Sequence, residues 1–126
     1  MKIKDVKVLI IEGGPNPPEG CSEENPFIEG FGGKNVQVPG KLEQLYVQIL
    51  TDEGIEGISP GIPSRIPQYI VRDQLRPVLM GKDPEEYESL WNQMYRSITH
   101  SKRGEGTLAI AAVDLALWDI IGKVRR

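Results

Sequence analysis

The chain has 126 residues, 39% hydrophobic and 26% charged, with a net charge of −3 and a pI near 5.2. That length fits one domain able to bury about two thirds of its unfolded surface. The acidic balance gives no electrostatic case for nucleic acid or an anionic membrane surface. Cys21 is the sole cysteine, which excludes an internal disulfide and speaks against a cysteine-rich zinc site. In the first run, MKIKDVKVLIIEGG, Asp5 and Lys7 break the apolar stretch and no small-residue cleavage signal follows. The expectation is a cytoplasmic protein.

Residues Ile3 to Ile11 alternate, with Val6, Val8 and Ile10 on one side and Leu9 and Ile11 on the other, which predicts a strand. From Gly13 to Gly40 the chain carries seven glycines and five prolines, so regular structure is not expected. A connection of that length inside a compact domain usually serves as a lid or binding loop. Phe27, Ile28 and Phe31, apolar residues set close together in it, favour the lid over a plain linker. Leu42 to Leu50 predicts a second strand with Leu45, Val47 and Ile49 inward. Thr51 to Gly54 is a turn with Gly54 at positive φ, and Ile55 to Ser59 returns as a third strand.

SPGIP, from Ser59 to Pro63, breaks the chain, and Ser64 is placed to cap a helix running to Leu75. Its inward residues are expected to be Ile66, Tyr69, Ile70 and Leu75, with Pro77 ending it. A second helix opens with Asp83 as cap, Pro84 at the first position and Glu86 completing a capping box. Its expected buried stripe is Tyr87, Leu90, Trp91, Met94 and Ile98. Strands first and helices after predict an α+β fold, a three-stranded antiparallel meander followed by a three-helix bundle.

The last helix, Thr107 to Lys123, is rich in alanine and leucine, both strong helix formers. Thr107 is the expected cap. Leu108, Ala111, Ala112, Leu115, Trp118 and Ile121 repeat at helical spacing, and Ala109, Val113, Ala116, Leu117 and Ile120 fill most of the remaining circumference. Only Asp114 and Asp119 interrupt, roughly 140° apart. A helix apolar nearly all round must be covered on more than one side. The two aspartates and the small alanine-rich surface argue against a membrane span. One face is therefore expected to lack cover from its own domain. Of Leu117 and Ile120, one is expected to face the core and the other an association surface.

The acids Asp83, Glu85, Glu86 and Glu88 are accounted for by capping, by the helix dipole and by a solvated helix face. Asp114 and Asp119 lie too far around the helix to share an ion, and each is expected to accept hydrogen bonds from a packed neighbour. His100 has no orienting partner near it in sequence, so a surface role outweighs a catalytic one. Gly104 to Ala109 matches a loose dinucleotide fingerprint, but a polar loop precedes it where a strand is needed. No complete catalytic constellation is present.

Taken together, MKIKDVKVLII, VQILTDEGIEGIS, LRPVLMGKDPEEYESLWNQMYR and above all AIAAVDLALWDIIGK resemble the N-terminal capping domain of the enolase superfamily, in its mandelate racemase and muconate-lactonising branch. The resemblance implies that residues 1–126 are a capping domain with a lid at 13–40, packed in the full enzyme against a (β/α)₈-type barrel. It implies Mg2+ bound by carboxylates of that barrel, with barrel bases abstracting the proton α to a substrate carboxylate. None of those ligands or bases falls in this chain, so the chain alone is expected to be inactive and to hold no metal. The loops after the first strand and after the hairpin would close over the barrel mouth. Phe27, Phe31, Lys34 and Ser64 are the substrate-facing candidates. The glycine-rich, polar lid favours an acid-sugar dehydratase, with a racemase or cycloisomerase of the same branch as the alternative. The implied partners are the barrel, a small-molecule carboxylate and further copies of the enzyme, not nucleic acid or membrane. From another class, a free-standing protein-interaction module using the last helix remains the competing reading.

Overall fold

Alternation in the two longest apolar runs yields two paired strands, and a tight turn adds a third. The computed structural model describes residues 1–12, 43–62 and 64–126. β1 (Ile3–Glu12), β2 (Glu43–Thr51) and β3 (Glu56–Ile58) form an antiparallel sheet in the order β1-β2-β3. The register sets Val6 opposite Ile49, Val8 opposite Val47 and Ile10 opposite Leu45. Val6, Leu45, Val47 and Ile49 are buried, while Leu9 and Ile11 lie on the exposed face, as the period of two requires. Gly54 has φ 80°, and the Thr51 hydroxyl donates to the Ile55 carbonyl and accepts from its amide at 2.8 and 3.0 Å. The expected turn is thus formed. Beyond β3, Ile62 pairs with Leu45 in an isolated antiparallel bridge.

Three helical elements follow. α1 occupies residues 67–79 and joins an α-helical turn (Pro67–Tyr69), a π-helical stretch (Ile70–Leu75) and a second α-helical turn (Arg76–Leu79). Pro77, expected to end this helix, lies inside it. Proline has no amide to donate and its ring crowds the carbonyl four residues back. The wider π turn just before it, closed by the Arg76 amide on the Val71 carbonyl, accommodates both defects. The turn opening also differs from expectation. Ile66 is the cap residue and makes no side-chain bond, while the Ser64 hydroxyl accepts the Ile66 amide at 3.3 Å. Val71, Leu75 and Leu79 face the core, whereas Ile66 and Tyr69 are exposed.

α2 (Tyr87–Ser97) starts later than its acidic lead-in predicts. Asp83 organises the preceding turn, its carboxylate accepting the Glu85 amide at 3.0 Å and its carbonyl accepting the Glu86 amide at 3.1 Å. Glu86 then caps through backbone alone, so no capping box forms. Leu90, Met94 and Ile98 are buried, but Trp91 is exposed and Tyr87 only partly covered.

α3 (Glu105–Val124) lies across the sheet, and its two sides differ in cover. Its buried arc is Ala109, Ile110, Ala112, Val113, Ala116, Leu117, Ile120 and Ile121. Leu108, Leu115 and Trp118 of the apolar stripe are 41%, 48% and 44% exposed, so one face does lack cover from this chain. The physical reason lies at Gly57 on β3, where a Cβ would stand 2.1 Å from the Ala116 carbonyl oxygen. The alanine side of the helix lets the backbones approach that closely; a leucine or tryptophan there would hold them apart. Leu117 and Ile120 both reach the core at 0% exposure, so neither serves an association surface. Thr107 does not cap; its hydroxyl donates to the Lys102 carbonyl at 2.7 Å, and the helix opens two residues earlier.

Candidate functional site

The end of the sheet where β1 finishes and β2 begins, at the Glu12–Glu43 pair, is also the end reached by the segment after β3. That segment is held in place by hydrogen bonds to β2. The Ser59 hydroxyl accepts the Val47 amide at 2.8 Å, and the Leu45 and Ile62 backbones exchange hydrogen bonds at 2.8 and 2.9 Å. Gly61 then passes close over Gln44 and Tyr46, where a Cβ would stand 2.1 Å from the Gln44 side-chain oxygen. The Tyr46 hydroxyl donates to that same oxygen at 3.1 Å. Alternation along β2 places Gln44 and Tyr46 on its outer side, but nothing in the sequence pairs them with Gly61.

Ser64 follows, and its hydroxyl donates to the Glu105 carboxylate at 3.1 Å. The loop after the hairpin is thereby tied to the start of α3 across the domain. Glu105 had no assigned role, because only the fold brings positions 64 and 105 together. Phe27, Phe31 and Lys34 lie outside the described residues, as does the rest of the proposed lid. Of the four substrate-facing candidates, Ser64 is therefore the one whose surroundings are known.

Two carboxylates of α3 have opposite surroundings. Asp119 accepts the Lys123 ammonium at 2.7 Å and the Ile58 amide at 3.0 Å, and Lys123 also donates to the Glu56 carbonyl at 2.7 Å. The outer edge of β3 is thus satisfied by side chains rather than left open, which blocks pairing with a further strand. The Lys123 bond, opposed by desolvation and aided by the Ile58 amide, holds the Asp119 carboxyl below the ordinary aspartate range. Among the described residues Asp114 has no hydrogen-bond or ion-pair partner, and partial burial pushes its carboxyl up. The expectation that both aspartates are bonded to neighbours holds for Asp119 alone.

The remaining concavities are open and polar. One, of about 500 Å³, is lined by residues of β1 from Asp5 to Leu9 with Arg72, Asp73 and Arg76 of α1. Another, of about 520 Å³, runs from Lys4 to Gly54 and Glu56. They share Arg76, whose guanidinium donates to Asp5 at 3.0 and 3.3 Å and holds that carboxyl below its usual range. An ion pair already satisfied and open to water offers little for a ligand. Among the described residues no group of three or more His, Cys, Asp or Glu side chains is arranged to hold a metal ion. Among them, too, no helix is long and apolar enough to cross a membrane.

A three-stranded antiparallel sheet followed by three helices is the enolase-type N-terminal α+β domain. Residues 36–126 match the mandelate racemase / muconate lactonizing enzyme N-terminal domain, and the chain belongs to that family. It is 40% identical over 94 residues to a D-mannonate dehydratase of Sphingomonas sp., a match spanning 71% of this chain and 23% of that protein. Its fold resembles the 3,6-anhydro-D-galactonate cycloisomerase of Zobellia galactanivorans, with a TM-score of 0.73, 28% identity, and coverage of 99% of this chain and 29% of the other. It also resembles a magnesium-bound racemase of Streptomyces coelicolor in fold, with a TM-score of 0.71, 24% identity, and coverage of 98% and 31%. The chain thus spans about a quarter of the length of the curated relatives it matches.

Proposed function

We propose that this chain is the substrate-capping domain of a magnesium-dependent enzyme that abstracts the proton α to a carboxylate, most specifically an acid-sugar dehydratase. The observation that carries the proposal is the 40% identity to a D-mannonate dehydratase over 94 residues, beside the family match over residues 36–126. The described ends of the β1–β2 connection and the segment after the hairpin lie toward the same end of the sheet, which supports a capping role. In that role the domain binds and encloses: the Ser64–Glu105 bond fixes the post-hairpin loop, and Phe27, Phe31 and Lys34 are assigned to the substrate-facing side of the lid at 13–40. A closed cap excludes water, which strengthens whatever fixed charges stabilise the enediolate. Magnesium, when bound in the whole enzyme, supplies that charge. The described residues here offer no ligand set that fits it, so no step is assigned to this chain through the metal. The catalytic carboxylates and bases are assigned to a (β/α)₈-type barrel beyond the matched region, and the whole enzyme to a cytoplasmic homo-oligomer. A cycloisomerase is the second reading, supported by the Zobellia neighbour at 28% identity.

The test is a graft. Residues 1–126 replace the matched segment of the Sphingomonas D-mannonate dehydratase, and loss of water from D-mannonate and other sugar acids is followed with magnesium present. The expected result is an active chimera and an inactive isolated chain. Turnover by residues 1–126 alone, or a stoichiometric magnesium site on them by titration calorimetry, would overturn the proposal.

A further inference from the structure

The Ser64 hydroxyl is engaged inside the domain. A serine hydroxyl has one proton to donate and two lone pairs with which to accept. The proton goes to the Glu105 carboxylate at 3.1 Å, and the Ile66 amide donates to the hydroxyl oxygen at 3.3 Å. The Ser64 amide donates to the Ile62 carbonyl at 2.9 Å. A side chain committed in this way has no proton left for a ligand. Its part is to hold the chain on either side of it.

Glu105 is placed firmly enough to serve as the other half of that bond. It stands half-buried in the first turn of α3, where the connection from α2 ends. Two contacts close that connection on the helix. The Thr107 hydroxyl donates to the Lys102 carbonyl at 2.7 Å, and a Cβ on Gly106 would stand 1.9 Å from the Ser101 carbonyl oxygen. Residues just before and just after Glu105 are thus pressed together, and α3 itself is anchored by its buried arc. The segment after the hairpin is therefore tied at two places, to β2 through Ser59 and Ile62 and to α3 through Ser64.

An acid in a first helical turn also has a plain role, since it complements the helix dipole. The two roles need different chemistry. The dipole answers to charge, whereas the Ser64 bond needs only an acceptor oxygen, which a side-chain amide also has.

We propose that Glu105 is a positioning residue for substrate: through Ser64 it sets where the segment after the hairpin lies, and so how tightly the closed cap holds a sugar acid. The proposal rests on the capping reading above, and it makes Ser64 an anchor rather than a substrate contact.

The experiment uses the chimera of residues 1–126 on the Sphingomonas D-mannonate dehydratase, with D-mannonate and magnesium, and measures kcat and KM separately. Glu105→Ala and Ser64→Ala should each raise KM about tenfold and leave kcat within about twofold, the pattern of lost binding. The double variant should be no worse than either single one, because both remove the same bond. Glu105→Gln keeps the acceptor and should stay within about twofold of the parent KM. Amide exchange in residues 1–126 gives a second measurement that needs no activity. Glu105→Ala should speed exchange of the Ile66 amide about tenfold and leave the Val47 amide of β2 unchanged, and Glu105→Gln should change neither. An Ile66 amide no faster in Glu105→Ala overturns the anchor. Faster exchange with an unchanged KM overturns the positioning of substrate. A Glu105→Gln variant as impaired as Glu105→Ala assigns the residue to the helix dipole and overturns the proposal as well. A chimera that dehydrates nothing yet binds D-mannonate by calorimetry removes the dehydratase reading alone, and the same order of variants is then expected in its Kd. One that neither dehydrates nor binds removes the capping reading and the substrate role with it, while exchange still decides the anchor.

Discussion

The two sides of α3 are built from the same kinds of residue and behave as two different surfaces. On the side facing the sheet, Ala109, Ala112 and Ala116 bring the helix against β3, and Leu117 and Ile120 fill the space beneath. On the other side, Leu108, Leu115 and Trp118 are just as apolar but remain open. Residue size separates them: small residues select the face that approaches another backbone closely, and the large ones stay on the open side. The aspartates follow the same division. Asp119 sits at the sheet edge with two donors, while Asp114, toward the open side, has none among the described residues.

The sharpest way to break this division is to place a charge on the covered side. Leu117→Asp and Ile120→Lys each put an unpaired charge at a site with no exposure, and both should abolish the folded state. A loss above about 4 kcal/mol is expected for each, read as a chain without a cooperative thermal transition. Leu117→Ala, which leaves only a cavity, should cost about 2–5 kcal/mol. A folded, soluble Ile120→Lys protein would show that α3 is rotated from the phase described.

That phase is also where the sequence ceased to be informative. The meander was legible because a period of two separates inward Leu45, Val47 and Ile49 from their neighbours without ambiguity. The existence of α3 was legible from its composition, and so was the uncovered face, but a helix apolar all round carries no strong moment to say which face that is. The sequence signal that could have chosen the face is Gly57, a residue without a side chain on a strand that must pack on something. In α1, the rule that proline ends a helix failed because a π turn absorbed Pro77. At the candidate site, Ser64 was legible as a small polar residue after a turn, whereas its partner Glu105 is forty-one positions away and only the fold joins them.

A milder break removes the edge latch. Asp119→Ala takes away the acceptor for the Ile58 amide and for Lys123, and should cost about 1 kcal/mol in chemical denaturation at neutral pH. The carboxyl of Asp119 titrates below its ordinary value in the folded chain, so the stability it contributes is present above an unfolded pKa of about 3.9. It is lost as the pH falls through the lower, folded value. The gap between Asp119→Ala and the parent should therefore be full at pH 7 and close on acidification. A gap that persists unchanged well below pH 4 would mean that the side chain acts through packing and not through its charge.

The smallest expected effect sharpens the comparison most. Asp114 has its carboxyl raised by desolvation, so the folded chain takes up a proton there before the unfolded chain does. Its charged form therefore opposes folding at neutral pH, and the sign is opposite to that of Asp119. Asp114→Asn in the isolated chain should be neutral or slightly stabilising at pH 7, within about 0.5 kcal/mol. Any gain should fade as the pH falls through the raised folded value, because the parent carboxyl is then neutral too. Urea unfolding of the two variants beside the parent, at neutral and at acid pH, gives the whole comparison in one set of curves. A cost above about 1 kcal/mol for Asp114→Asn would be that of losing a charge-assisted bond. It would place a partner for Asp114 inside this chain, and the two faces of α3 would then no longer differ in the way their aspartates are held.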